Sequence, residues 1–167
     1  MSVLMECRDV RKSFGSIRAL AGLTFSINNR TSVGLVGPNG AGKTTLFSVI
    51  SGFLRPDAGT LSVLGHRADS LQLKGRIGVM PQDVPMLPGI SVYVQLILLA
   101  RLQGFSRSDA DPEIERIITL SGISGLVRQF PETLSFGQRK RVILAQALIG
   151  KPDLVLLDEP TSGLDPV

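Results

Sequence analysis

The chain has 167 residues, of which 43% are hydrophobic and 19% charged, with a net charge of +4. That allows one domain with a real core, leaves too little chain for a second full domain, and is too apolar for a disordered segment. The charge is too mild to single out nucleic acid as a partner, a lone cysteine cannot form an internal disulfide, and no apolar run reaches the roughly 20 residues of a spanning helix.

The longest such run, Ile90 to Leu102, carries Gln95 and Arg101. The N-terminal MSVLMECRDVRK mixes acid and base too early for a secretory signal. The expectation is a cytoplasmic chain, at most peripheral to a membrane.

In chain order, Val3–Val10 and Leu20–Ile27 alternate as strands, with a turn around Gly15 between them. Cys7 falls in the first of these and reads as a packed strand residue. Ser32–Val36 is a compact apolar run and reads as a buried strand. A helix is predicted from Thr44 to Ile50, a turn at Pro56–Gly59, and strands at Thr60–Leu64 and Arg76–Met80. His66, the sole histidine, reads as an ordinary surface residue on a turn. Between Pro81 and Thr133 the texture becomes helical, with helices at Val92–Gln103 and Pro112–Leu120, the second capped by Asp111 with Pro112 at its first position. A helix over Phe136–Ile149 and an all-apolar strand, Leu154–Leu157, follow. Strands linked by helical crossovers imply a mostly parallel sheet and an α/β fold.

Between the Ser32–Val36 strand and the helix lies Gly37-Pro38-Asn39-Gly40-Ala41-Gly42-Lys43-Thr44-Thr45. The first eight residues match the P-loop spacing. The glycines let backbone N–H groups turn inward as an anion cradle, and the helix adds its positive end. Lys43 is expected to reach the outer phosphates of ATP and the Thr44 hydroxyl to ligate Mg2+. Downstream, the apolar strand 154–157 delivers Asp158 and Glu159 at its carboxyl end, where ligands bind in open α/β sheets. Neighbouring strand residues point opposite ways, which suits a division of labour: Asp158 supporting Mg2+ and its waters, Glu159 polarising the attacking water as general base.

Leu134-Ser135-Phe136-Gly137-Gln138 opens the preceding helix. Ser135 and Gln138 have capping-box spacing, and the free amides there form a second anion site. With this segment the chain resembles the ABC-type ATPase domain, whose signature usually reads LSGGQ, along essentially its whole length. Phe14 stands where the family has an aromatic that stacks on adenine, Gln82 where its Q-loop glutamine contacts the metal and attacking water, and Ser162-Gly163-Leu164-Asp165 resembles its D-loop.

The resemblance implies a P-loop NTPase core with a mostly parallel sheet, an N-terminal antiparallel β subdomain and an inserted helical subdomain. Residues 1–80 and 134–167 would form the core and 81–133 the helical part. It also implies a second ATPase domain paired head to tail, with Ser135, Gly137 and Gln138 of one chain, and Asp165, contributing to the ATP of the pair. Transmembrane permease subunits would be the coupled partners, and no nucleic acid is expected. A non-transport ABC ATPase acting on ribosomes or DNA is the alternative; it usually brings paired domains, coiled-coil insertions or zinc cysteines, none of which appears.

Two departures from the pattern stand out. Phe136 replaces a signature glycine, giving LSFGQ for LSGGQ, a tolerable change if its side chain points away from the phosphate. The family's next strand and H-loop histidine would lie beyond Val167, so the chain is expected to be a C-terminally truncated form, poorly stable and catalytically weak by itself.

Overall fold

A computed structural model describes residues 2–82 and 84–160. The chain divides into two compact units, Met1–Lys74 and Gly75–Val167.

The first unit is built on β1 (Val3–Phe14), β2 (Ile17–Asn28), α1 (Lys43–Ile50), β3 (Ala58–Val63) and the short β4 (His66–Arg67). The strands form one antiparallel sheet in the order β2-β1-β3-β4. β1 and β2 make a hairpin that closes at Phe14 opposite Ile17, where Gly15 takes the left-handed conformation (φ 59°) that the two-residue turn needs. Met5 and Cys7 are buried two residues apart, as alternation predicts, and Val10 is buried beyond a register shift where Asp9 takes φ 47°. The Cys7 thiol donates to the Leu23 carbonyl, and burial pushes it up from its ordinary value. His66 lies in β4, opposite Val63, half-buried rather than on an open turn. Leu46, Val49 and Ile50 bury one face of α1.

Ser32–Val36 is not a strand. Its apolar residues are exposed, Val36 at 94%. A strand needs a hydrogen-bonded neighbour, and among the described residues none pairs with this segment. The apolar run signals a tendency to be buried, but it does not supply the partner edge.

The second unit contains β5 (Ile77–Met80), α2 (Val92–Leu102), α3 (Arg107–Ser121), α4 (Phe136–Ala147) and β6 (Leu154–Leu157). β5 and β6 pair in parallel, Ile77 opposite Leu154 through Met80 opposite Leu157. At one end Arg76 and Asp153 meet in an ion pair of 2.8 Å, and the Asp153 amide donates to the Arg76 carbonyl. At the other, the Asp158 amide donates to the Met80 carbonyl. α4 lies on β5, with Met80, Ile143 and Ala147 buried together. α2, α3 and α4 share a core of Val92, Leu96, Ile114, Ile117, Ile123, Val142 and Ile149. Gln95, buried within it, is satisfied: its Oε1 accepts from the Leu87 amide and its Nε2 donates to the Ile90 carbonyl. Leu87, ahead of α2, is exposed, whereas Val92, the first residue of the helix, is fully buried. Among the described residues no helix is long and apolar enough to cross a membrane.

α3 begins five residues before its predicted start. The Ser106 hydroxyl accepts from the Asp109 amide and caps the helix, while Asp111, the expected cap, accepts instead from the Tyr93 hydroxyl at 3.1 Å. Pro112 therefore lies inside the helix. The middle of α3 is stapled to the segment after α4 by Glu113, whose carboxylate pairs with Arg116 at 2.7 Å and accepts from the Gly150 amide. The Arg116 guanidinium, seconded by that amide, holds the Glu113 carboxyl below its usual range against the opposing effect of burial. A depressed carboxyl stabilises the fold above the unfolded value of about 4.3 and loses that contribution as pH falls through the folded value. Glu113→Gln is expected to cost roughly 1–3 kcal/mol at neutral pH, discounted because Arg116 is partly solvated. Denaturant midpoints measured against pH should show wild type and variant converging in acid.

Candidate functional site

The P-loop residues Gly37–Thr45 lie in the first unit. Gly40 (φ 80°) and Gly42 (φ 85°) occupy the left-handed region that favours glycine. Gly42 is also held by packing, since a Cβ there would stand 2.3 Å from the Ala19 carbonyl oxygen. The loop curls around Lys43, whose Nζ donates to the Gly37 and Pro38 carbonyls at 2.7 and 2.8 Å. α1 opens without a side-chain cap and without an acid in its first turn. α2, α3 and α4 open instead with Ser91, Ser106 and Ser135 accepting from backbone amides. The amides of α1 are thus left for another acceptor, and the absence of nearby acid suits an anion. Phe14, at the end of β1, is half-exposed, with Lys12 Nζ 5.8 Å from its ring centroid.

The second unit brings together residues 77 positions apart. The register that sets Met80 opposite Leu157 places Gln82 and Glu159 equally far beyond the strand ends. Gln82 Nε2 donates to Glu159 Oε2 at 3.1 Å. Glu159 takes a left-handed backbone conformation, φ 48°, which turns the chain sharply at the strand end. Asp158, immediately before it, is half-buried. Among the described residues no three His, Cys, Asp or Glu side chains cluster as a metal cage.

The signature segment opens α4 with a complete capping box. Ser135 Oγ accepts from the Gln138 amide at 3.3 Å and Gln138 Oε1 from the Ser135 amide at 2.9 Å, as their spacing predicts. Gly137 falls in the first turn between them. Phe136, in place of the usual glycine, meets Lys140 one turn on, the amine 5.5 Å from its ring centroid. Lys140 is the residue that sequence reasoning misses. It sits in the run Arg139-Lys140-Arg141, which reads as a solvated face, yet it is 5% exposed and donates to the Gln82 carbonyl at 3.1 Å and the Glu159 carbonyl at 3.5 Å. Its helical spacing from Ile143 and Ala147, three and seven positions on along the buried face of α4, is the hint in the sequence. Ser162–Asp165, the expected D-loop, lies outside the described residues.

The sequence model of the family described as ABC transporter matches residues 20–162. Over 98% of its length the chain is 31% identical to the linearmycin resistance ATP-binding protein LnrL of Bacillus subtilis, covering 53% of that protein. It is 36% identical over 97% of its length to the Nod factor export ATP-binding protein I of Burkholderia lata, covering 54%. The chain thus spans about half the length of the curated relatives it matches. Among solved structures, cbiO1 from Clostridium perfringens, part of the ABC transporter complex cbiONQ, superposes with a TM-score of 0.86 at 28% identity, over 99% of this chain and 68% of that one. With a P-loop, a capped signature helix and an acidic strand end in family order, the chain belongs to the ABC transporter ATP-binding family.

Proposed function

We propose that the protein carrying this chain is the ATP-hydrolysing subunit of a membrane transporter, paired head to tail with a second ATPase domain and driving separate permease subunits from the inner face of the membrane. The observation that carries the hydrolytic reading is the Gln82–Glu159 hydrogen bond of 3.1 Å, a polar side chain steadying the carboxylate that the reaction needs as a base. The transport reading is supported by family membership and by relatives named for resistance and export. No observation favours action on ribosomes or DNA. The division into core (1–80 and 134–167) and helical subdomain (81–133) is part of the same proposal.

In this reading Phe14 supports the adenine, and the P-loop from Gly37 to Thr45 binds the phosphates through its amides and Lys43. Glu159 takes a proton from the attacking water, with Gln82 orienting the carboxylate. Ser135, Gly137 and Gln138 face the nucleotide of the partner chain, and Asp165 belongs to the same interface. Mg2+, when bound, neutralises charge between the phosphate oxygens. Thr44, Asp158 and Gln82 would hold it, a sparse donor set that suits a cation retaining waters and phosphate ligands.

Lys43→Ala tests the nucleotide site. Removing one charge-assisted phosphate contact is expected to weaken ATP binding by about 10- to 100-fold, read by titrating a fluorescent ATP analogue. Equal affinity in the variant would overturn the assignment of the P-loop.

A further inference from the structure

A residue with a Cβ keeps a left-handed backbone only where its surroundings hold it, and Glu159 does so at φ 48°. Of the two side chains that hydrogen-bond to it, Gln82 and Lys140, Lys140 is the buried one, 5% exposed. Burying a lysine amine is costly unless it is hydrogen-bonded; nearby Val142 and Ile143 show what this helix otherwise buries. The compensation comes from three directions. Nζ donates to the carbonyls of Gln82 and Glu159, and the half-exposed Phe136 ring lies against it at 5.5 Å. One side chain thus joins the main chain at both strand ends, while Gln82 Nε2 joins their side chains at 3.1 Å.

Resting on the hydrolytic reading above, we propose that Lys140 is a positioning residue for the hydrolysis step. It acts through the main chain of Gln82 and Glu159, and so ties the placement of the Glu159 carboxylate to the position of α4. Ser135, the cap of that helix, is five residues away, about 7.5 Å along the axis. A helix moves as a rigid rod, so a shift of its first turn carries the Lys140 amine with it. In a head-to-tail pair that first turn faces the partner's nucleotide, and Lys140 transmits its occupancy to this chain's own base. Phe136 shields the amine from water, which gives the departure from glycine a use.

The test compares wild type, Lys140→Met, which keeps length and burial but removes the donor, and Lys140→Arg, which restores donors. Steady-state kinetics and amide hydrogen exchange are measured on the protein that carries this chain. Lys140→Met is expected to lower kcat by about 10- to 100-fold, the scale of a displaced catalytic group, with KM for ATP unchanged. It should lose exchange protection in peptides covering Gln82 and Glu159 but not in α2 or α3, and Lys140→Arg should recover most of both. An unchanged kcat, protection lost equally in α2 and α3, or an arginine variant no better than methionine would each overturn the proposal. Should wild type release no phosphate, the hydrolytic reading falls by itself. The exchange comparison then still decides the tether, local loss supporting it and unchanged protection overturning it.

Discussion

Glu159→Gln is expected to reduce phosphate release by about 10²- to 10⁴-fold, the contribution of a positioned general base, while leaving ATP affinity unaltered. The substitution isolates the chemistry. Glutamine has the size of glutamate, its side-chain oxygen can still accept from Gln82 Nε2, which lies 3.1 Å from the native carboxylate, and both residues bear the same backbone cost at φ 48°. What is lost is the capacity to take a proton. Nucleotide titrations should therefore superimpose on wild type while single-turnover rates fall. A variant that hydrolyses ATP at the wild-type rate would remove Glu159 from the role of base and leave Asp158 as the nearest carboxylate for it.

The largest effect on folding is expected at Gly78. A Cβ added there would stand 1.9 Å from the Ala147 carbonyl oxygen and 2.9 Å from Pro152 Cγ. The first obstacle is main chain at the end of α4, which cannot turn aside as a side chain would. Gly78→Ala must lift α4 from β5 and open the cluster of Met80, Ile143 and Ala147, at a cost of at least about 3 kcal/mol. Because α4 carries Lys140 and β5 leads into Gln82, the contacts at Glu159 should fail with the packing. Denaturant unfolding measures the loss, and a variant as stable as wild type would contradict the close approach of helix and strand.

Local signals account for what was legible in the sequence. Alternation marks β1 and β2, the Ser135–Gln138 spacing gives a capping box that is present in full, and Gly40 and Gly42 of the loop before α1 take the left-handed conformations that a glycine-rich turn invites. Features that depend on a partner distant in sequence were not legible. Ser32–Val36 has the composition of a strand but no neighbour among the described residues. The start of α3 was decided by competition, since Asp111 is engaged by Tyr93 and Ser106 is free to cap. The meeting of Gln82 with Glu159 follows from a parallel register that no local pattern encodes. Lys140 is hidden between two arginines because a charge run looks the same whether or not one member turns inward.

Hydrolysis by a paired ATPase is read from phosphate release, with and without Mg2+, by the protein that carries this sequence, over a range of protein concentrations. Mg2+-dependent turnover that rises more steeply than linearly with protein concentration is expected, because in the proposed pair Ser135 of one chain completes the site of another. Turnover that is absent at every concentration, or equal without Mg2+, would contradict hydrolysis by such a pair.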